Sequence, residues 1–336
     1  MKTLRTGLVA ATASLAVLLA GCGGGGSAAD RKTEDGLKVV TVAYTPIYSV
    51  GAIKLGMDQG FFEKQGLRVE LKQVANPPSG IAAVAGDQVD FNYAPSIPFV
   101  NAIANGVKLE IVGAADGYDE GTKAAVAKDP SLALQHDDSG VVAAPGSDIH
   151  RAADLQGKTV SVPARGAQLE VTIAAAVAAD GGDPSKIHWI TLDFPSAVSS
   201  LKSGRVDAAG LVVPFISQAE KGGGKLVLSP GLQFFDDGAV GLWITSAALT
   251  QKDPKVVTAF QTAIQQSNEY AEAHITDAQK AAATVLKTDL ATVEAGSKPA
   301  FPATVDPADV QSVIERMKQL GYLKKDVDAA SLVYGN

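Results

Sequence analysis

Short apolar runs rich in β-branched residues alternate with alanine-rich segments through most of the chain. The run Lys38–Tyr44 predicts a buried strand, Val50–Gly60 a helix, and Leu67–Val74 a half-buried strand. The alternation continues as helix, strand, helix and strand at Ser79–Ala85, Val89–Tyr93, Ile97–Asn105 and Lys108–Ala115. Strands and helices in turn are typical of a largely parallel sheet covered by helices on both faces.

A second stretch of the chain repeats this alternation, and a helical tail follows it. Its predicted strands and helices are Lys158–Val162, Ala167–Ala179, Ile187–Leu192, Ala197–Lys202, Val206–Val212 and Lys225–Leu228. The tail predicts a strand at Ala239–Thr245 and helices at Lys255–His274, Ala278–Leu286 and Pro307–Leu320. We therefore predict two α/β lobes, with the tail helices packed on the first.

The two stretches also share a short sequence pattern. Pro78–Asp90 and Pro195–Asp207 both begin with Pro-Ser and end with Gly-x(n)-Val-Asp, 117 residues apart, and the pairs Pro98-Phe99 and Pro214-Phe215 follow them. This shared order favours two copies of one strand-loop-helix plan over the general tendency of α/β chains to repeat elements. Because open α/β sheets bind ligands at the carboxyl ends of their strands, two such lobes predict a cleft between them.

The first residues have the features of an export signal. Lys2 and Arg5 precede an apolar stretch, Leu8–Ala20, that is too short to span a bilayer. The end of this stretch, Leu19-Ala-Gly-Cys22, resembles the lipobox of bacterial lipoproteins. The resemblance implies a signal peptide at 1–21 and lipid on Cys22; an ordinary secretory peptide with an incidental cysteine is the alternative. Residues 22–36, rich in glycine at their start, predict a flexible tether.

Composition narrows the functional classes. The chain has 336 residues, 46% of them hydrophobic, which predicts about two domains with substantial cores. A net charge of −7 implies no broad basic face for nucleic acid, and one cysteine excludes a disulfide framework. The four histidines lack metal-ligand spacing, and no nucleophile elbow or phosphate loop occurs. We therefore expect no metal, no cofactor, no catalytic residues and no enzyme activity.

Three motifs carry a family resemblance. Gly60–Leu67, Asp154–Val160 and Ser203–Ala208 resemble segments of the solute-binding proteins of bacterial ABC importers for sulfonates, taurine, nitrate and thiamine-pyrimidine precursors. The resemblance implies a type 2 periplasmic-binding-protein fold, with lobe 1 at 37–150 and 235–336 and lobe 2, at 151–234, inserted in it. It also implies an extracytoplasmic, lipid-anchored monomer that delivers a small molecule to a transmembrane permease with its ATPase. A hinge is expected near Gly146–Ala153 and Leu228–Phe235.

Twelve residues at the predicted loop ends are candidates for the ligand site. They are Tyr44, Thr45, Tyr48, Ser79, Tyr93 and Ser96 in lobe 1, and Arg165, Gly166, Gln168, Phe194, Ser196 and Pro214 in lobe 2. Arg165 comes directly before a helix N-terminus, where a guanidinium and backbone amides make an anion site, although a surface ion pair is the alternative. Each serine can equally act as a helix cap.

The expected ligand is a small organic anion such as an aliphatic sulfonate, taurine or nitrate. A heteroaromatic thiamine-pyrimidine precursor or riboflavin-like ring is the alternative, since aromatic residues line the predicted cleft. A secreted enzyme, or an adhesion protein, on the same two-lobed body is the rival from another class. One departure from the family pattern is the polar stretch Asp116–Ser139, with Asp137-Asp138, which we expect to be a surface insertion; a role in closing the cleft is the alternative.

Overall fold

The computed structural model describes residues 31–335, so the predicted signal peptide and Cys22 lie outside the described residues. The described residues form ten strands: β1 Lys38–Tyr44, β2 Leu67–Gln73, β3 Phe91–Pro95, β4 Leu109–Tyr118, β5 Ser139–Ala143, β6 Thr159–Val162, β7 His188–Thr191, β8 Ala208–Val212, β9 Lys225–Leu228 and β10 Gly238–Ser246. Their order along the chain follows the predicted alternation, with β5 as an additional strand.

Fifteen α-helices accompany these strands in the described residues. They are α1 Val50–Asp58, α2 Phe61–Lys64, α3 Pro77–Ala85, α4 Ser96–Ala104, α5 Thr122–Lys128, α6 Ala133–His136, α7 Gln168–Ala179, α8 Phe194–Lys202, α9 Phe215–Lys221, α10 Pro230–Phe234, α11 Ala247–Lys252, α12 Pro254–Ala273, α13 Ile275–Leu286, α14 Leu290–Glu294 and α15 Pro307–Gln319. The short helices α2, α5, α6, α9, α10, α11 and α14 are additions to the prediction.

The strands form two five-stranded sheets with the same plan. The first has the order β2-β1-β3-β10-β4 and the second β7-β6-β8-β5-β9. In each sheet three parallel strands lie on one side, and the fourth strand runs antiparallel to both of its neighbours. Because β5 to β9 come between β4 and β10 in the chain, the second lobe is inserted in the first. The predicted two-lobed α/β fold with an inserted second lobe is confirmed.

The boundary between the lobes differs from the prediction at its first crossing. The strand Ser139–Ala143 pairs with β8 and β9, so the chain has entered the second sheet before Ser139 rather than near residue 150. The predicted first hinge, at Gly146–Ala153, therefore lies inside lobe 2, and the chain crosses at Asp137-Asp138 instead. The second crossing contains α10, within the predicted Leu228–Phe235.

The predicted tether is shorter than expected, because its last residues attach to the first sheet. The carbonyl oxygen of Arg31 accepts a 2.9 Å hydrogen bond from the amide of Val39 in β1. The Arg31 guanidinium also pairs with Glu70 of β2 at 2.9 Å. Residues 31–36 are thus part of the folded lobe, and the prediction of a flexible segment through residue 36 is wrong for them.

The repeated Val-Asp pairs perform the same structural task in both lobes. The Asp90 carboxylate accepts a 2.8 Å bond from the Thr41 amide of β1, and the Asp90 amide donates back to the Thr41 carbonyl at 2.9 Å. Asp207 and Thr159 of β6 make the same two bonds, at 2.7 and 2.9 Å. Each aspartate therefore fixes the strand that follows it, β3 or β8, beside the middle one of the three parallel strands, β1 or β6.

The cores of the two lobes differ in composition. Lobe 1 buries large rings: Phe260 of α12 stacks on Phe91 of β3, with ring centroids 3.8 Å apart, and Trp243 of β10 packs edge-on against Phe260. The buried core of lobe 2 is made of aliphatic side chains such as Val160, Ile173 and Leu211. The tail helix α12 thereby supplies part of the lobe 1 core, in agreement with the predicted packing of the tail.

Candidate functional site

The carboxyl ends of the first lobe's strands bring together a buried carboxylate and three donors. Asp116 of β4 is 7% exposed and accepts hydrogen bonds from the hydroxyls of Ser49 and Tyr93 and from the backbone amide of Gly241. A Cβ atom at Gly241 would lie 2.4 Å from an Asp116 carboxylate oxygen, so this close approach requires glycine. Burial raises the pKa of Asp116, although the three donors oppose the shift.

A second carboxylate, Asp137, ties the two crossings between the lobes together. Its oxygens accept bonds from the Ser139 amide (2.9 Å) and hydroxyl (2.6 Å) at the first crossing. They also accept from the amides of Gly231 and Leu232 at the second crossing and from the Tyr118 hydroxyl at the end of β4. Asp137 is 1% exposed, and burial raises its pKa although the bonds from Ser139, Leu232 and Gly231 oppose the shift.

The third carboxylate, Asp138, is partly exposed and differs from the other two. Among residues 31–335 its side chain has no cation partner, and the only hydrogen bond to it comes from its own backbone amide. Burial, together with the nearby charges of Asp137 and Asp116, raises the pKa of Asp138 to about 7. Its carbonyl oxygen accepts a 2.9 Å bond from the Val213 amide of lobe 2, which places it at the junction of the lobes.

The two tyrosines of this cluster are hydrogen-bond donors. Burial, followed by the repulsion of neighbouring carboxylates, raises the pKa of both Tyr93 and Tyr118 far above its ordinary value. Both hydroxyls therefore keep their protons, Tyr93 toward Asp116 and Tyr118 toward Asp137. The predicted site residue Tyr93 thus lies beside Asp116, at the end of β4.

Four of the predicted site residues carry buried polar atoms that have no hydrogen-bond partner within the described residues. These atoms are the hydroxyls of Thr45, Tyr48 and Ser96 and the side-chain oxygen of Gln168. Thr45 and Ser96 follow the neighbouring parallel strands β1 and β3, so both lie at the edge that carries Tyr93. A buried polar atom without a partner costs about 1–3 kcal/mol, which a bound solute with matching polar groups would recover.

Arg165 is engaged in an ion pair within its own loop. Its guanidinium contacts the carboxylate of Glu170 at 2.6 Å, and this bond raises the pKa of Arg165. Glu170, 2% exposed, also accepts from the Gly166 amide (2.9 Å) and from the Tyr322 hydroxyl of lobe 1 (3.1 Å). The N-terminus of α7 is therefore occupied by a carboxylate of the chain itself. Arg165 therefore forms an ion pair at the surface, which was the alternative to an anion site.

The loop after β6 contacts lobe 1 on a second side. The carbonyl oxygen of Gly166 accepts a 2.7 Å bond from the Asn101 amide group of α4. Together with the bond from Tyr322 to Glu170, this contact brings Gly166 and Gln168 against the first lobe. The ring of Tyr44, by contrast, packs in the core of lobe 1.

Two of the predicted serines lie on the surface at helix N-termini. Ser79 is exposed and forms a capping box with Asn76, since its amide donates to the Asn76 side chain at 3.0 Å. Ser196 is also exposed, and its amide donates to Asp193, the N-cap residue of α8, at 2.8 Å. Ser79 therefore acts in helix capping, which was the alternative to a ligand contact. The backbone amide of Ser196 is capped by the Asp193 side chain.

Apolar side chains form a wall at the carboxyl ends of β7 and β8 and pack on the core of lobe 2. The ring of Phe194 stacks on Phe215, with centroids 5.2 Å apart, and Pro214 and Val213 directly precede Phe215. Because Val213 bonds to Asp138, this wall lies next to the acidic cluster. On the lobe 1 side, Tyr48 stacks on Phe301 at 5.7 Å.

Sequence reasoning missed Ser49, Asp116 and Asp138. The stretch Asp116–Ser139 was expected to be a surface insertion, and this is wrong at both ends, where Asp116 and Asp137 are buried. The available signal was the position of Asp116 directly after the predicted strand Lys108–Ala115, where ligand-facing residues of α/β sheets occur.

Neither a metal-binding cluster nor a membrane-spanning helix occurs within residues 31–335. No group of three or more metal-ligating side chains is placed to hold an ion. Within the same residues, no helix combines the length and apolar character needed to cross a membrane.

Comparison with known proteins gives a consistent picture. A family model described as NMT1/THI5 like matches residues 49–130 and 131–278. The chain is 22% identical over 277 residues to a putative aliphatic sulfonates-binding protein of Bacillus subtilis, covering 82% of this chain and 76% of that protein.

Solved structures share the fold. The alkanesulfonate-binding protein SsuA of Xanthomonas axonopodis pv. citri, bound to MOPS, superimposes with a TM-score of 0.68 at 19% identity, covering 88% of this chain and 98% of that one. The periplasmic nitrate-binding protein NrtA of Synechocystis gives 0.66 at 13% identity, covering 88% and 84%.

Proposed function

The chain belongs to the NMT1/THI5-like family, and we propose that it is the solute-binding protein of an ABC importer. Relatives named for binding sulfonates, with which it shares most of its length, support this function. The curated relatives that match most of the chain are named as binding proteins, which favours transport over the rival class, an enzyme on the same body.

The observation that carries the proposal is the set of unpartnered buried polar atoms where the lobes meet. Thr45, Ser96 and Gln168 come from both lobes, so a solute bonding to all three would hold the lobes together. A closed form that gains contacts absent from the open form rises in population when the solute binds. Hinge motion would occur at the two crossings, Asp137-Asp138 and 229–237.

Two classes of solute fit the proposal. The relatives' names favour a small organic anion such as a sulfonate, for which the start of α4 at Ser96 offers an unpartnered hydroxyl and helix amides. A ring-bearing solute, such as a pyrimidine, is the second candidate, because the stacked pair Phe194 and Phe215 offers an aromatic surface beside the polar cluster.

Location and partners follow from the same proposal. The protein would work outside the cytoplasm, as a monomer, held to the membrane by lipid on Cys22 and delivering its solute to a permease with its ATPase. Metabolic labelling with a radioactive fatty acid tests the anchor: wild type should be labelled and Cys22→Ser should not. Labelling of both proteins, or of neither, would contradict lipidation at Cys22.

Solute binding is tested by thermal shift on the purified protein. A solute that binds only the folded state raises the melting temperature, so we screen sulfonates, nitrate, amines, amino acids and pyrimidines. We expect at least one class to raise it in a concentration-dependent way. Small-angle scattering should then show a smaller radius of gyration with that solute. A complete screen without any shift would contradict the proposed function.

A further inference from the structure

We propose that the solute carries a protonated nitrogen, which Asp138 and Asp116 bind at the junction of the lobes. This inference rests on the proposed function and specifies its ligand chemistry. It differs from the expected organic anion, because a solute that presents only negative charge would meet like charge at this position.

The charges of the cluster are unbalanced within the described residues. Asp137 and Asp116 lie close enough to Asp138 to raise its proton affinity, and no lysine or arginine among residues 31–335 pairs with any of the three. Asp137 is fully used by its five donors at the crossings. Asp116 has three donors, none of them charged, and Asp138 has only its own amide. These two carboxylates therefore remain available to a cation.

Only two routes relieve this charge. Asp138 can take up a proton, and its pKa of about 7 shows that this competes near neutral pH. A cationic N–H donor can instead bridge the carboxylates and form charge-assisted hydrogen bonds, which are stronger than neutral ones. The second route keeps both carboxylates ionised, so it uses the full attraction between opposite charges.

Neighbouring groups make this a built site rather than an acidic patch. The hydroxyls of Ser49 and Tyr93 hold the Asp116 carboxylate in place. Thr45 and Ser96, 7% and 0% exposed, contribute hydroxyls without partners at the adjacent strand ends. The solute's remaining polar atoms would bond to these two hydroxyls, and its apolar part would face Phe194.

The test compares solutes that differ only in the basic nitrogen. We titrate the protein calorimetrically with taurine against isethionate, and with 4-aminopyrimidine against 4-hydroxypyrimidine, after a thermal-shift screen of amines, amidines, non-basic anions and neutral solutes. We expect every binding solute to contain a basic nitrogen or amidine-like N–H group, and its hydroxyl analogue to bind at least tenfold more weakly.

Variants locate the nitrogen. Asp138→Asn and Asp116→Asn keep size and shape while removing charge, and each should weaken the best solute at least tenfold. The exposed Asp119, in the same segment, supplies the control Asp119→Asn, which should change affinity less than twofold. Should Asp116→Asn fail to fold, the Asp138 variant and the paired solutes still decide the question.

The outcomes separate the inference from the proposed function. Tight binding only by solutes without a basic nitrogen would overturn the inference and leave the proposed function standing. Unchanged affinity of both variants for a basic solute would also overturn it. No binding by any class of solute would refute the proposed function, and the inference with it.

Discussion

The two lobes share a backbone plan but differ in the side chains that they place on it. Each has three parallel strands, an antiparallel fourth strand and an aspartate that bonds to the middle parallel strand, Asp90 in one and Asp207 in the other. Lobe 1 has an aromatic core and an acidic, hydroxyl-rich cleft edge. Lobe 2 has an aliphatic core and an apolar edge. The shared strand pairing and the strand-fixing aspartates therefore define the topology. The side chains of the core and of the cleft edge differ between the lobes.

The largest predicted difference lies in the cores. Phe260→Ala removes a fully buried ring that stacks on Phe91, so we expect the free energy of unfolding to fall by about 3–5 kcal/mol. Leu211→Ala in lobe 2 should cost about 2–3 kcal/mol. Trp189 lies in lobe 2 and Trp243 in lobe 1, so denaturant unfolding in a Trp189→Phe background reports on lobe 1. A smaller loss for Phe260→Ala than for Leu211→Ala would contradict the comparison.

The second prediction concerns the strand-fixing aspartates, Asp90 and Asp207. Asp90 is buried, so Asp90→Ala leaves the Thr41 amide without a partner away from water, at a cost of about 2–3 kcal/mol. Asp207 is exposed, and water can replace it at Thr159, so Asp207→Ala should cost less than about 1 kcal/mol. Urea unfolding of both variants measures the two losses. Equal losses of unfolding free energy would show that burial does not determine how much each aspartate contributes.

The third prediction uses the acidic cleft edge of lobe 1. The pKa of Asp138 is raised from 3.8 to about 7 in the fold, so its contribution to stability is present at low pH and lost as pH rises between these values. Asp138→Asn removes that loss. Because the side chain is partly exposed, we expect a gain of about 2 kcal/mol at pH 8 and little change at pH 4. Melting temperatures across this pH range test it, with Asp119→Asn as control.

The opposite result is also informative for Asp138. A variant that is less stable than wild type at pH 8 would mean that the ionised carboxylate has a favourable partner, and the charge imbalance of the cluster would then be wrong. A gain in stability accompanied by loss of solute affinity is the combination expected of a binding site under electrostatic strain.

The smallest predicted effect concerns the turn that follows the repeated helix. Asp87 (φ 54°) and Gly204 (φ 68°) occupy the same place before the Val-Asp pairs, and both have left-handed backbone. Gly204→Ala should cost about 1 kcal/mol, because a Cβ there has free space and only the backbone resists. Asp87→Gly should cost about 0.5–1.5 kcal/mol, because aspartate already tolerates this backbone region and the substitution removes the 3.2 Å bond from the Ser246 hydroxyl. Thermal unfolding measures both.

The sequence was sufficient for the plan of the fold, because strand and helix periodicity and the repeated Val-Asp pair are local signals. It also predicted that Thr45, Tyr93 and Ser96 lie at strand ends near the junction of the lobes. The first crossing was missed because β5 is a short strand, Ser139–Ala143, directly after a polar stretch. Nothing local distinguishes such a strand from the end of an exposed loop.

The hydrogen-bond and ion-pair partners of the site residues were harder to predict from the sequence, because tertiary contacts determine them. Glu170 lies five residues after Arg165, on the first turn of α7, where a carboxylate is favourable, so this pair had a detectable signal. The meeting of Asp116 with Ser49 and Tyr93 had none, since the three residues lie on separate strands and loops. Charge balance around a cleft therefore has to be taken from the structure.

The hydrogen bonds of Asp137 have a further consequence for how the lobes would move. Both interlobe segments bond to this one carboxylate, through Ser139 on one side and Leu232 on the other. Twisting or sliding would pull these donors apart and strand a buried charge, whereas bending about the line through them leaves every bond intact. For the proposed lobe motion, we therefore expect rotation about this line rather than sliding of one lobe over the other.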